Sequence, residues 1–321
     1  MIDAIGGYFE LADRDIENGH YPIDGVRVNT ARNALEYILR QLPDVQTIYL
    51  PFYTCEAVIE PLQKLSLSYH FYHINMQLEM VGDVPIEEGV YVIVNNYFGL
   101  KDAYVAKMAR KYGEHLIVDN AQALFAPTSP NIKAIYSARK FIGVADGGFA
   151  IGVSELPIEM YEEDTHQHDS HLLIRKEQGA EAGFQAYRQN EKLLDNQPIR
   201  RMAAATEGII THIDYNKMIA HRRSNFRLLH EMLGDENRLP IPDMNTFVCP
   251  MVYPFLPKSN MDLRRRLIDN RIYVARYWQN VLDWCRPYDI EETLVKELIP
   301  LPIDQRYNEE DMKRIIEIIV D

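Results

Sequence analysis

Two side chains that could share one reaction centre stand twenty-one positions apart, Asp119 in VDNAQ and Lys140 in IYSARKFIGVADGG. Each lies at or just beyond an apolar run of strand length. A lysine held in a partly desolvated pocket loses its proton more readily and attacks carbonyl carbon. A carboxylate at the carboxyl edge of an open α/β sheet sits where such sheets bind ligands, and could hold a metal, a ribose or a protonated ring nitrogen. Each residue also has a plain reading. Lys140 would serve as a solvated cation before a turn, and Asp119 as the N-cap of a helix starting at NAQAL.

Taken together, the two are what pyridoxal phosphate requires: a lysine for covalent attachment and an acid opposite the pyridine nitrogen. A phosphate needs a seat as well. VNTARNAL places Asn29, Thr30, Ala31 and Arg32 at the start of a strongly periodic helix, where free backbone N–H groups and the helix dipole attract an anion. Ordinary capping by Asn29 or Thr30 would use the same residues. Ser137 and Arg139 beside the lysine are further candidates for phosphate oxygens. Gly147 and Gly148 permit positive φ and close approach of a neighbouring chain or ligand, and a tight turn needs nothing more.

The elements that must position these groups alternate. TARNALEYILRQL (30–42) has helical periodicity, and TIYLPFYT (47–54) is a strand running into a loop. CEAVIEPLQKLSL is helical, SYHFYHI (68–74) β-prone, GVYVIVNNYFG (89–99) a strand, DAYVAKMARKYG a helix, and HLIVDNAQALF (115–125) a strand. AIYSA and GGFAIGV frame Lys140 as two more strands. The rhythm predicts an α/β fold, a mostly parallel sheet with helices on both faces, within a large domain over 1–200. Residues 155–200 read as a surface arm, with a polar helix at IRKEQGAEAGFQAYRQNEKLLD. Residues 201–321 supply linking helices (202–233) and a small C-terminal α+β domain. Its expected elements are a strand in TFVCPMVYPFL, a helix at NMDLRRRLIDN, a strand at RIYVA and a last helix at NEEDMKRIIEIIV.

A net charge of −13 argues against general nucleic-acid binding, which needs clustered Lys and Arg. Apolar runs stay well short of the ~20 residues that cross a bilayer. No basic region followed by an apolar run opens the chain. The three cysteines (Cys55, Cys249, Cys285) fit neither a disulfide framework nor a zinc pattern, so reduced thiols in the cytoplasm are expected. His166, His168 and His171 in HQHDSH read as a solvated loop rather than a metal site, and no metal is expected. Arg264, Arg265 and Arg266 read as the wet face of a helix.

Motif order carries a resemblance. LPFYTCEAVIEPL, NNYFGLKD, VDNAQALF, SARKFIGVADGG, RRMAAATEGII, AHRRSNFRLL, IYVARYW and LPIDQRY together resemble the DegT/StrS-type aminotransferases, fold-type I pyridoxal-phosphate enzymes many of which aminate keto-sugar nucleotides. The resemblance runs from about residue 26 to the end. It implies that Lys140 forms the Schiff base, Asp119 meets the pyridine nitrogen and Gln122 lies beside the ring oxygen. It also implies that Thr30 and Ala31 donate amides to the phosphate, and that the unit is a homodimer with shared sites. Asn96, Arg276 and Arg306 are the candidate substrate contacts, since arginine grips carboxylates bidentately. The chain departs from the family in several places. Cys55 follows Thr54 where an aromatic usually stacks on the ring, leaving Tyr53 or Phe52 as the candidate stack. Ile199 and Arg201 occupy the Asn-x-Arg step, and Asp146 replaces a Glu before the glycine pair. The implied activity is transfer of an amino group from an amino acid to a carbonyl acceptor such as a keto sugar. A lyase or dehydratase on the same cofactor, or a cofactor-binding relic, would share the pattern.

Overall fold

Apolar residues alternate between two faces along each central strand, and this alternation builds the sheet. The structure is a computed structural model and describes residues 3–17, 19–127, 129, 131–157, 169–259 and 262–320. After a two-residue strand β1 (Ile5–Gly6) come β2 (Val26–Val28), β3 (Thr47–Pro51), β4 (Ser68–Tyr72), β5 (Val90–Asn95), β6 (Leu116–Asn120), β7 (Lys133–Ser137) and β8 (Gly148–Ile151). Strands β2 to β8 form one seven-stranded sheet in the order β2-β8-β7-β6-β5-β3-β4. β8 alone runs antiparallel to its neighbours. In β5, Val92 and Val94 enter one buried cluster while Tyr91 and Ile93 enter the other. Burial on both faces, at about 1.5–3 kcal/mol per large apolar side chain, explains the near-continuous apolar strands.

Helices α1 (Ala31–Leu39) and α2 (Ile59–Lys64) cover one face through Leu35, Ile38 and Leu62. Helix α3 (Asp102–Tyr112) covers the other through Tyr104, Met108 and Tyr112. The 155–200 stretch forms two helices within its described part, α4 (Ser170–Gln178) and α5 (Phe184–Leu193), rather than one. The break follows Gly179, whose φ of +94° suits glycine. This stretch is more than a surface arm, because His171, Leu172, Arg175 and Asn190 are buried. His171 therefore corrects the solvated-loop expectation: its ring packs against Tyr8 and Tyr187. His166 and His168 lie outside the described residues.

Helices α6 (Ala204–Ile210) and α7 (Tyr215–Leu233) lead to β9 (Tyr253–Phe255), α8 (Leu263–Asp269), β10 (Ile272–Tyr273), α9 (Ile290–Glu297), β11 (Ile299–Leu301) and α10 (Glu309–Val320). The strand expected in TFVCPMVYPFL shrinks to Tyr253–Phe255. Upstream of it, the Arg223 guanidinium donates to the carbonyls of Phe247 and Val248, and Asp102 accepts from the Val248 N–H, so side chains replace a ladder. Only Arg265 of the arginine triplet is exposed. Arg264 donates to the Ala275 and Leu298 carbonyls, and burial with Arg276 nearby lowers its pKa to about 10. β1 pairs in parallel with β10, which brings residues 5–6 onto the C-terminal part of the chain.

Candidate active site

Strands β3, β5, β6 and β7 are parallel, so the segments that leave them emerge at one edge of the sheet. β2 ends at that edge too, since β8 is antiparallel to both β2 and β7. Cys55, Gln122, Lys140 and the start of α1 are all carried on these exits, and Asp119 occupies the penultimate position of β6.

Lys140 ends a single 3₁₀ turn, Ala138–Lys140, that follows Ser137. It is partly exposed and lines a cavity of about 750 Å³, as does Ser137. No carboxylate forms an ion pair with it among the described residues. Burial pushes the Asp119 carboxyl above its ordinary range, against the opposing pull of the Lys140 ammonium and the Ala121 N–H, which donates to Asp119 Oδ1 at 2.8 Å. Cys55 shares these surroundings. Burial raises its thiol, while Lys140 and Arg32 lower it and Asp119 raises it. Lys140, Asp119 and Cys55 thus feel one another at a single centre. Asp119 and Gln122 are not in the cavity wall itself, whereas Lys140 both lines the cavity and acts electrostatically on Asp119.

Gln122 is 5% exposed. Its Oε1 accepts the Phe98 N–H at 3.0 Å, which holds Phe98 at a φ of +58°, uncommon for a bulky residue. Its Nε2 is buried without a hydrogen-bond partner. A buried donor left unpaired costs about 1–3 kcal/mol, so an acceptor supplied by a ligand would offset a standing penalty.

The glycine pair has a divided use. Gly147 has a φ of +122°, its carbonyl accepts from the Ala138 N–H at 3.0 Å, and its N–H donates to the Asn29 carbonyl at 2.6 Å. It ties the Lys140 turn to the start of α1. Gly148 is required for space: a Cβ there would lie 2.3 Å from the Thr30 carbonyl and 2.7 Å from the Ala31 nitrogen. Thr30 caps α1, and its hydroxyl is spent on Asn33, accepting from the backbone N–H and donating to Oδ1. The N–H groups of Ala31 and Arg32 have no partner within the helix ladder. Gly148→Ala is expected to push this terminus outward. It should weaken binding of a phosphate-bearing cofactor at least about tenfold and destabilise the chain by about 1–3 kcal/mol, read by cofactor titration and thermal melting.

Other candidates lie elsewhere. The Arg32 guanidinium is engaged by Glu60 and by Asp195 at 2.8 Å. The Tyr53 ring is 1% exposed and packed edge-on to Trp278 at 4.6 Å, beside Tyr97. Phe52 stacks on Phe71. Asn96 donates to Asp102 at 2.7 Å and accepts the Lys101 N–H, so it fixes the entry to α3. Arg276 is exposed and outside the cavity wall. Arg306 is clasped by both oxygens of Asp304 and by Glu10. Asp146 accepts from the Ala203 N–H and the Thr206 hydroxyl at the start of α6, Ile199 packs on the second core cluster, and Arg201 pairs with Glu155. Cavity-lining residues that carried no sequence signal include Arg175 on α4 and Tyr8 in the N-terminal segment.

The mostly parallel seven-stranded α/β sheet with one reversed strand and helices on both faces is a fold this chain shares with solved aminotransferase structures. No protein-family model matches the chain, and no curated protein matches it. The solved structures similar to it include the following three. DesV from S. venezuelae, in complex with a ketimine intermediate, is 14% identical over 95% of this chain and 85% of that one, with a TM-score of 0.63. The aminotransferase TlmJ from Streptoalloteichus hindustanus is 15% identical over 92% and 84%, with a TM-score of 0.64. A DegT DnrJ EryC1 StrS aminotransferase from Brucella abortus is 16% identical over 93% and 85%, with a TM-score of 0.63.

Proposed function

We propose that this chain is a pyridoxal-phosphate-dependent aminotransferase that moves an amino group from an amino acid to a carbonyl acceptor, the keto sugars being one acceptor class the resemblance implies. The observation that carries the reading is the placement of Asp119, at the end of β6, and Lys140, just beyond β7, at the same carboxyl edge of the sheet, where the Lys140 ammonium opposes the burial that raises the Asp119 carboxyl. The residues present fit the cofactor. A carboxyl raised by burial accepts a cationic ring nitrogen, Gln122 Nε2 is an unspent donor, and the N–H groups of Ala31 and Arg32 have no partner within the helix ladder.

Pyridoxal phosphate, when bound, supplies an electron sink for the substrate Cα. Lys140 would hold the cofactor and then carry the proton at that carbon as general base and acid, a role worth about 10²–10⁴-fold in rate. Asp119 keeps positive charge on the ring nitrogen. Burial also pushes the Cys55 thiol up, against the pull of the Lys140 ammonium. The unit is read as a homodimer, which light scattering on the purified chain checks.

The test is spectroscopic. The protein with pyridoxal phosphate should acquire visible absorbance, and an amino donor such as glutamate should bleach it. Colour without a response to any amino acid donor would overturn transamination.

A further inference from the structure

We propose that His73, Asp289 and Glu291 form a binding site for a divalent transition-metal ion of the zinc class, which joins the outer edge of the sheet to the start of α9. None of the three lines the cavity beside Lys140.

His73 follows β4, the outermost strand, and Glu291 lies in the first turn of α9. The two stand 218 positions apart, so no local ligand spacing announces them. His73 Nδ1 lies 3.2 Å from Oε1 and 3.2 Å from Oε2 of Glu291. As hydrogen bonds these are two long contacts rather than one good one. As ligand spacing they fit, because a tetrahedral ion about 2.0–2.1 Å from its nitrogen and oxygen ligands sets those ligands about 3.3 Å apart. The ring is held against Phe52 at 4.6 Å. Asp289 completes the set, since ligand atoms of all three residues lie within 4.8 Å of one another. Its Oδ2 accepts the Arg286 N–H at 2.8 Å, and its side chain, although at the N-cap position, does not cap α9. His73 is exposed, so water reaches a fourth ligand position.

The burial of charge points to the same occupant. Glu291 is 1% exposed. Other buried carboxylates of the chain face cations: Glu36 is met by Arg40 at 2.6 Å and Lys64 at 3.5 Å, and Asp304 by Arg306 at 2.7 Å. Among the described residues no lysine or arginine pairs with Glu291 or Asp289. The Ile74 N–H serves Glu291 Oε1 at 2.8 Å, and Oε2 has only His73 Nδ1. The first turn of α9 offsets part of the cost of burying this charge, and His73 compensates it only when both ring nitrogens carry protons. Cys285 registers the excess: burial raises its thiol first, and Asp289, Glu291 and Glu292 each raise it further. Two carboxylates beside a neutral imidazole carry the charge that one divalent ion neutralises. An imidazole nitrogen in the set favours zinc, cobalt(II) or nickel over magnesium and calcium, which take oxygen ligands.

The experiment is calorimetric titration of the full chain, stripped with a chelator, with zinc chloride. One equivalent should bind, and zinc in excess should raise the melting temperature by about 5 °C. Magnesium chloride should bind at least about 100-fold more weakly. His73→Gln keeps a donor for Glu291 but supplies no imidazole. It should weaken zinc binding at least about 100-fold, beyond the 10–100-fold scale of losing an outer-shell partner. The His166→Ala/His168→Ala double variant should bind as the wild type does. Cobalt(II) in place of zinc should show ligand-field absorption without a thiolate-to-metal band. The proposal is overturned by absence of zinc binding, by unchanged affinity in His73→Gln, by loss of binding in the double variant, by a thiolate band, or by tighter magnesium. The double variant and the cobalt spectrum decide even if His73→Gln fails to fold. The titrations are run without pyridoxal phosphate, so failure here leaves visible absorbance at Lys140 as the separate test of the aminotransferase reading.

Discussion

Lys140→Ala is expected to leave a folded chain that binds pyridoxal phosphate without gaining visible absorbance, and to lower any transamination by at least about a thousand-fold. The side chain is partly exposed at a cavity wall and forms no ion pair among the described residues, so its removal takes away no structural hydrogen bond. Stability should change by no more than about 0.5 kcal/mol, the range of substitutions that touch no packing or capping feature. The turn that carries Lys140 is held by backbone groups, with the Ala138 N–H on Gly147 and the Phe141 and Ile142 N–H groups on Ala138, none of which alanine disturbs. Borohydride treatment followed by peptide mass analysis should label the wild-type chain at Lys140 and leave the variant unlabelled. Unchanged absorbance and labelling in the variant would remove Lys140 from the chemistry.

How much of this was legible beforehand depends on whether the determining contacts are local. Asp119 and Lys140 could be placed at one sheet edge because each sits at or just beyond an apolar run of strand length, and parallel strands deliver their exits to the same side. The cap of α1 was legible because capping is local, and the hydroxyl of Thr30 proved to be spent on Asn33. The choice between Tyr53 and Phe52 was not legible. Both follow β3, but Tyr53 is packed against Trp278 and Tyr97 from distant parts of the chain while Phe52 stacks on Phe71. The arginines show the same limit. Arg276 and Arg306 were chosen by motif position, yet whether a guanidinium has an N–H to spare depends on its partners. Those of Arg175 lie 165 and 169 positions away, in a segment anchored by the two-residue pairing of Ile5–Gly6 with Ile272 and Tyr273. Such a strand is too short for any periodicity to announce.

Asp119→Asn should divide stability from activity. Asparagine retains an oxygen for the Ala121 N–H, so the local turn is kept. In the folded chain the Asp119 carboxyl titrates above its ordinary range, because burial outweighs Lys140 and the Ala121 amide. Between the unfolded and folded pKa the native state therefore holds a proton that the unfolded state has released. Stability contributed at this position falls as pH rises through that window, and the full cost is present above the folded pKa. Asparagine carries no such cost. Without cofactor, the variant should melt higher than the wild type at neutral pH, and the difference should vanish below about pH 4, near the ordinary carboxyl range. Pyridoxal phosphate should reverse the order, since a cationic ring nitrogen stabilises only the charged carboxylate. The wild type should then gain more from the cofactor than the variant does. Transamination should fall by about 10²–10³-fold, the scale of one preorganised electrostatic group. Melting curves across pH, with and without cofactor, measure the whole set. A variant that melts no higher than the wild type at pH 7 without cofactor, yet gains as much from pyridoxal phosphate, would show that Asp119 neither bears the burial cost nor faces the ring.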